Sequence, residues 1–319
     1  MKDCFKREID YLRISVTDLC NLRCRYCMPE DGVEKFSHEE ILSVEEIGEI
    51  ARACASLGVR KVRLTGGEPL VRKGITEICK VIKEIPEVKE LCLTTNGLLL
   101  KKYAEQLKEA GVDRLNVSLD TLQNEKYKSL TRCKTSDTPV DDIFEGIRIA
   151  EEAGFKNTKI NAVLIGGTND DEITDFIEYT RDHEMQIRFI ELMPIGEAES
   201  WDRSCFLSNE TVLSKDARLK FIGESGVASL YQVEGYAGTI GLISPVNHHF
   251  CSRCNRLRLT ADGKLKACLH SRQETSVRGL HGEELIETIR RQILEKPQNY
   301  ELSYDNPSSS PRNMNQIGG

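Results

Sequence analysis

The segment CNLRCRYC, residues 20–27, puts three cysteines, Cys20, Cys24 and Cys27, within eight residues. A second triplet, Cys251, Cys254 and Cys268, lies far along the chain in FCSRCNRLRLTADGKLKACL. Thiolates at such spacing are soft ligands for zinc or iron. A structural zinc site takes four ligands, so a zinc reading of the first triplet needs a fourth from elsewhere, with His38 as the candidate. The pattern C-x3-C-x2-C instead suits three corners of a 4Fe-4S cube, with one iron left open to chelate a small molecule and pass it an electron. For the second triplet, a zinc ribbon completed by His249 or His270 stands beside the cluster reading. The other six cysteines, Cys4, Cys54, Cys79, Cys92, Cys133 and Cys205, are scattered singly and read as small buried hydrophobes.

These residues must be positioned by a chain of 319 residues, long enough for a large unit and a smaller one. Apolar residues make up 39% and charged residues 30%, the balance of an ordinary globular protein. A net charge of -7 argues against a nucleic-acid binder held by its overall field, while leaving room for a local basic pocket. MKDCFKREIDYLR has no signal-peptide pattern, and no apolar run reaches the roughly 18 residues of a membrane span. The expectation is a cytoplasmic protein without a membrane or nucleic-acid partner.

Between the triplets, apolar strand-like runs alternate with helix-like segments. The runs are residues 11–17, 61–65, 90–95, 114–120, 159–165 and 187–193. After the first comes SVEEIGEIARACASLG, in which Ser43 and Glu46 form a capping box and Gly58 ends the helix. Similar helical segments follow the other strands, which predicts a parallel α/β architecture. The rhythm stops near residue 195, dividing the chain into 1–195 and 196–319. Beyond it, VASLYQVEGYAGTIGLIS reads as strands, HGEELIETIRRQIL as a helix and NPSSSPRNMNQIGG as a disordered tail. Six strand-helix units are fewer than the eight of a closed barrel, so an open sheet and an incomplete barrel both stand. Either places ligand-bearing loops at the carboxyl ends of the strands. There lie the first cysteine loop, GGEP (Gly66–Pro69), TTNG with Thr94, Asn96 and Gly97, then Ser118 with Asp120, and Met193. Gly66 and Gly67 read as a site for close backbone approach to a ligand.

The C-x3-C-x2-C loop with Tyr26 inside it, followed by TGGEPL, resembles the radical S-adenosylmethionine (SAM) superfamily. The second triplet, Arg256 and Arg258 beside it, and the terminal Gly318-Gly319 together resemble the GTP 3',8-cyclase family of molybdenum cofactor biosynthesis over essentially the whole chain. That resemblance implies an incomplete (β/α)6 TIM-type barrel with a C-terminal part carrying a second 4Fe-4S cluster. It implies that Cys20, Cys24 and Cys27 hold the cluster that binds and cleaves SAM, and that Cys251, Cys254 and Cys268 hold the other, facing the guanine. Tyr26, Gly67, Ser118 and Met193 match the family's SAM contacts. Arg13, Arg63, Thr94, Lys159, Arg188, Arg256 and Arg258 match positions around GTP. The reaction implied is removal of the ribose C3' hydrogen by a 5'-deoxyadenosyl radical, addition of C3' to guanine C8, and reduction. The Gly318-Gly319 tail would reach into the pocket. A reductant, a downstream cyclic pyranopterin monophosphate synthase and a homodimer complete the implied partners.

Charge supports this independently. A protein of net charge -7 binds a triphosphate only by concentrating cations locally, and Arg13, Arg63, Lys159, Arg188, Arg256 and Arg258 all fall within strand-like runs. Two competitors remain: a radical SAM peptide-modifying enzyme, which usually carries a longer cysteine-rich C-terminal segment, and a non-catalytic zinc module.

Overall fold

The computed structural model of the chain describes residues 1–34, 36, 37 and 39–318. The chain opens with β1 (Tyr11–Ser15), α1 (Val44–Ser56), β2 (Lys61–Thr65), α2 (Ile75–Lys83), β3 (Glu90–Thr95) and α3 (Leu100–Glu109). It continues with β4 (Arg114–Ser118), α4 (Asn124–Thr131), α5 (Pro139–Glu152), β5 (Lys159–Leu164), α6 (Ile173–Tyr179) and β6 (Gln186–Glu191). Each expected strand forms within two residues of its expected limits. The Ser43–Glu46 capping box closes at the start of α1, Ser43 N–H donating to Glu46 at 2.7 Å and Glu46 N–H to the Ser43 hydroxyl at 3.2 Å. It satisfies two main-chain donors that a helix start would otherwise leave open.

β1 to β6 pair in chain order and all in parallel. An open doubly wound sheet reverses its strand order at a switch point, whereas unbroken sequential order is the winding of a barrel. The expected incomplete (β/α)6 barrel is therefore the architecture.

Side chains alternate across each strand. Leu12, Ile14, Val62, Leu64, Leu91, Leu93, Leu115, Val117, Ile160, Ala162, Ile187 and Phe189 are buried in one apolar core with the helices. Their neighbours Arg13, Arg63, Thr94, Asn116, Lys159, Asn161 and Arg188 line a cavity instead. Register sets these inward residues side by side: Arg258, Arg13 and Arg63 are successive partners across three strands. Asn116 pairs Lys159, and Asn161 pairs Arg188.

Residues after 195 complete the same sheet. α7 (Glu210–Lys215) leads to β7 (Lys220–Ser225), β8 (Ala228–Gln232) and β9 (Thr239–Ile243); β10 (Arg256–Leu259), β11 (Lys264–Lys266), β12 (Thr275–Ser276) and α8 (Gly282–Leu294) follow. β9 pairs β6 in parallel and β10 pairs β1 in parallel, so the C-terminal segment flanks the barrel on both sides. α4, which the sequence reading passed over, lies after β4.

Two expectations are corrected. The tail is not disordered: Arg312 donates to both Asp262 oxygens at 2.8 and 2.9 Å and to both Glu274 oxygens at 2.7 Å. Glu274 also takes the buried Lys266 ammonium at 3.1 Å. The tail then forms α9 (Met314–Ile317), whose Asn313–Gln316 capping box starts it and whose Asn315 and Ile317 are buried. Composition suggested a tail without a core, but four hydrogen bonds from Arg312 to two carboxylates anchor it. The second correction concerns Cys4, which is exposed, and Cys205, which is half-buried; Cys54, Cys79, Cys92 and Cys133 are buried as expected.

Breaking one side of a nearly buried ion-pair set costs about 3 kcal/mol. Arg312→Ala is expected to speed tail cleavage in limited proteolysis by roughly 100-fold while the melting of the barrel moves little. Arg312→Lys should fall between. An unchanged cleavage rate would show that the ionic cluster does not hold the tail.

Candidate active site

One cavity of about 460 Å³ opens on the carboxyl ends of the strands. Both cysteine triplets line it: Cys20, Cys24 and Cys27 from the loop after β1, and Cys251, Cys254 and Cys268 from the turns around β10 and β11. Tyr26, Gly67, Ser118 and Met193 line it too, as do Arg13, Arg63, Thr94, Lys159, Arg188, Arg256 and Arg258. Gly318 sits in a left-handed conformation against Thr65 and Ser15, with its carbonyl accepting from Arg258 at 2.8 Å. Arg258 also holds the Ile317 carbonyl at 3.1 Å. Gly319 and His38 lie outside the described residues.

The first cysteine loop is braced by GGEP. A Cβ on Gly66 would stand 2.7 Å from the Thr17 carbonyl, and one on Gly67 would collide with those of Leu19 and Asp18. The expected close approach is thus made, and its partner in this structure is the cysteine loop's own main chain. Glu68, fully buried, ties that loop region to β3 by accepting from Thr95 at 2.7 Å, Asn96 N–H at 2.7 Å and Leu70 N–H at 3.0 Å. Burial raises Glu68 to about 7 despite these donors. Tyr26 donates to Asp120 at 2.8 Å, and burial raises Asp120 to about 6.

The donor set fits three-cornered ligation of a metal cluster. The sulfurs receive N–H groups, Leu22 on Cys20 at 3.4 Å and Asn315 on Cys27, as metal-bound sulfur does. Burial, then neighbouring anions and sulfurs, pushes Cys20 up to about 11 and Cys27 to about 12. An iron cube holds each thiolate on a different iron, which spaces the sulfurs apart. Among the described residues no three Cys, His, Asp or Glu side chains gather about a single ion position. His249 and His270, the candidate fourth zinc ligands, bond to the Leu302 carbonyl and the Ser308 hydroxyl, both at 3.0 Å.

The middle of the cavity is cationic. Arg63 donates to the Tyr11 hydroxyl at 2.6 Å and to Thr94 at 3.1 Å. Burial would raise the Tyr11 phenol, but Arg63, Arg13 and Arg256 outweigh it and hold it at about 8. Burial and then Arg258 push Arg13 well below its usual range. Lys159 donates to Gln186 at 2.8 Å; burial, then Arg188, lowers it to about 7. An anion arriving among these cations would relieve their mutual repulsion.

Sequence reasoning missed Tyr11, Lys61, Arg114, Asn116 and Asn161, all of which line the cavity. Strand alternation was the signal: Lys61 precedes Arg63 by two, and Arg114, Asn116 and Ser118 share a face. Lys296, Tyr300 and Asn315 also reach the cavity, from segments whose sequence carries no such period.

The Radical SAM superfamily model matches residues 14–180. The solved structure of Streptococcus suis SuiB bound to S-adenosylmethionine superposes with a TM-score of 0.63 at 16% identity, covering 89% of this chain and 68% of that one, a likeness of fold. Fold, cysteine loop and match together define a radical SAM protein. A second model, Molybdenum Cofactor Synthesis C, matches residues 185–302. Proteins named GTP 3',8-cyclase from Alkaliphilus oremlandii and Alkaliphilus metalliredigens are each 48% identical over all of both chains. One from Peptoclostridium acidaminophilum is 45% identical over 99% of this chain and 98% of its own. The chain belongs to the GTP 3',8-cyclase family.

Lys159 supplies a test of the cationic site. With its amine lowered to about 7, much of it is neutral above that pH, and an arriving polyanion restores the proton. Binding of inorganic triphosphate at about pH 8 should therefore take up protons, less so at about pH 6, where the amine is already charged. Calorimetry in buffers of different ionisation enthalpy reads this. Lys159→Gln should remove most of the uptake; an equal uptake in that variant would assign it to another group.

Proposed function

We propose that this protein is a radical SAM enzyme that converts GTP into (8S)-3',8-cyclo-7,8-dihydroguanosine 5'-triphosphate, the first step of molybdenum cofactor biosynthesis. The observation that carries the reading is that both cysteine triplets face one cavity with the arginines between them. The full-length likeness to proteins named GTP 3',8-cyclase supports it.

In this reading Cys20, Cys24 and Cys27 hold a 4Fe-4S cluster, with Tyr26, Gly67, Ser118 and Met193 around SAM. Cys251, Cys254 and Cys268 hold a second 4Fe-4S cluster beside the guanine. When bound, the first cluster and SAM supply one-electron reduction and hydrogen abstraction. The chain's own contribution is placement. Arg13, Arg63, Lys159, Arg188, Arg256 and Arg258 neutralise the triphosphate, and Thr94, bonded to Arg63, orients that guanidinium. Holding ribose C3' and guanine C8 in contact supplies much of the acceleration. Gly318 packs against Thr65 and Arg258, where the tail excludes water from the reacting sugar.

The assignment divides the chain into a SAM-handling unit, 1–195, and a unit for the auxiliary cluster and GTP, 196–319. A low-potential reductant must feed the clusters, and a cyclic pyranopterin monophosphate synthase must consume the product. Among the described residues no helix is long and apolar enough to cross a membrane, which fits the cytoplasmic location we infer. A homodimer is part of the same proposal.

Anaerobically purified protein should be brown and hold about eight irons per chain, and changing either triplet to alanine should leave about four. Zinc with no iron would sink the assignment. Arg258→Ala should raise the KM for GTP about 10- to 100-fold with both clusters retained, since a charged hydrogen bond to phosphate is worth about 1.5–3 kcal/mol. Deleting Gly318 and Gly319 should abolish cyclisation without loss of iron; full activity in that chain would remove the tail from the mechanism.

A further inference from the structure

The two triplets share one cavity but differ in the charges buried beside them. Lys296, just beyond α8, is 2% exposed. Its ammonium donates to the Arg256 carbonyl at 2.9 Å and to the Ala267 carbonyl, beside the Cys254 thiol on which its charge acts. Arg256 stands two residues after Cys254, and Ala267 immediately precedes Cys268. One cation therefore clasps both arms of the second triplet. Among the described residues no carboxylate pairs with Lys296. A buried ammonium without a carboxylate destabilises a fold unless another anion accompanies it, and the group it faces is the cysteine cluster.

The segment that carries Lys296 is fixed from the other side. Arg7, buried and paired with Asp3 at 2.6 Å, donates to the carbonyls of Cys251 at 2.9 Å, Pro297 at 2.7 Å and Gln298 at 3.0 Å. Tyr300 N–H points at the Cys251 sulfur, and its hydroxyl donates to the Pro245 carbonyl at 2.8 Å. At the first triplet Arg23 donates to the Cys20 and Leu22 carbonyls at 2.8 and 2.7 Å, but its guanidinium is half-buried rather than enclosed like Lys296. Neutral groups donate to its sulfurs, Leu22 N–H at 3.4 Å, the Asn96 amide at 4.0 Å and Asn315 N–H. The buried carboxyl of Asp120 lines its side of the cavity, and the buried carboxyl of Glu68 acts on Cys20.

We propose that Lys296 is the charge partner of the second cluster and makes that cluster the easier of the two to reduce. The inference rests on the two-cluster reading above. Adding an electron adds negative charge, which an adjoining ammonium in a poorly solvated site stabilises and neighbouring carboxyls oppose. Lys296 is a positioning and tuning residue in this sense, its ammonium held by main-chain carbonyls on both arms of the triplet.

Iron analysis of anaerobically reconstituted protein comes first. About eight irons per chain keeps the two-cluster reading, and about four removes it whatever Lys296 does. Reductive titrations followed by electron paramagnetic resonance are then run on the full chain and on chains with one triplet changed to alanine, so that each signal has one source. The second cluster should accept its electron at the higher potential. Lys296→Met should shift its reduction equilibrium about tenfold toward the oxidised form, about 59 mV for one electron, while Lys296→Arg shifts it less than about threefold. The first cluster should not move. A second cluster reduced at or below the potential of the first overturns the proposal, and so does a Lys296→Met shift of less than about twofold. Where Lys296→Met does not retain the second cluster, the two potentials of the unaltered chain and the Lys296→Gln and Lys296→Arg pair decide by the same criteria.

Discussion

The interaction on which the rest of this structure depends is the mutual repulsion of cations on the concave face of the barrel. Arg13, Arg63 and Arg258 are register partners in neighbouring strands, and Arg256 and Lys61 flank Tyr11 in the adjoining row. Burial and then Arg63 hold Arg188 at about 10, and burial and then Arg256 hold Arg258 at about 10, both below the ordinary guanidinium value. Neutral acceptors take the guanidinium groups of two of them, the Gln186 amide oxygen accepting from Arg188 at 2.7 Å and the Ile317 and Gly318 carbonyls from Arg258 at 3.1 and 2.8 Å. The apolar outer face of the same strands, packed under the helices, holds the backbone rigid enough to keep like charges together. A chain with a net charge of -7 thus maintains a positive pocket by using its fold to oppose its local electrostatics.

The unusual use of the C-terminal segment follows from the same constraint. A partial barrel of six strands leaves both edges unpaired, and strand edges left open are costly. β9 and β10 cover them, and β10 brings two further arginines and one cysteine triplet to the cavity as it does so. The tail then turns back through the Arg312 cluster, so that Asn315 touches the first cysteine loop, bonding the Asp18 carbonyl at 3.1 Å, and Gly318 touches Arg258. Each of these contacts joins chain segments about 60 or more residues apart, and together they make the two halves of the site one body.

Much of the barrel was legible because its information is local. Strand residues such as Leu12 and Ile14, the Ser43–Glu46 box and Gly58 at φ +104 after α1 each act through neighbours a few positions away. Arg13, Arg63, Lys159 and Arg188 were legible as inward residues because period-two alternation follows from backbone geometry alone. Lys61 and Asn116 obey the same rule and were passed over for lack of a distinctive motif. Lys296, Arg7 and Arg312 were not legible, since a lysine after a helix or an arginine in a polar tail is by composition a solvated charge.

Short-range information was enough to read which residues form strands and helices, which face of each strand is charged, and that six of the twelve cysteines stand in two closely spaced triplets. Those properties depend on bond geometry, side-chain type and short spacing. Only the tertiary structure decided that both sets open into one cavity, that β9 and β10 flank opposite edges of the barrel, and that the tail is ordered. These outcomes depend on contacts between residues as far apart as Arg7 and Pro297 or Asp18 and Asn315, whose free energy exists only once the chain has closed on itself.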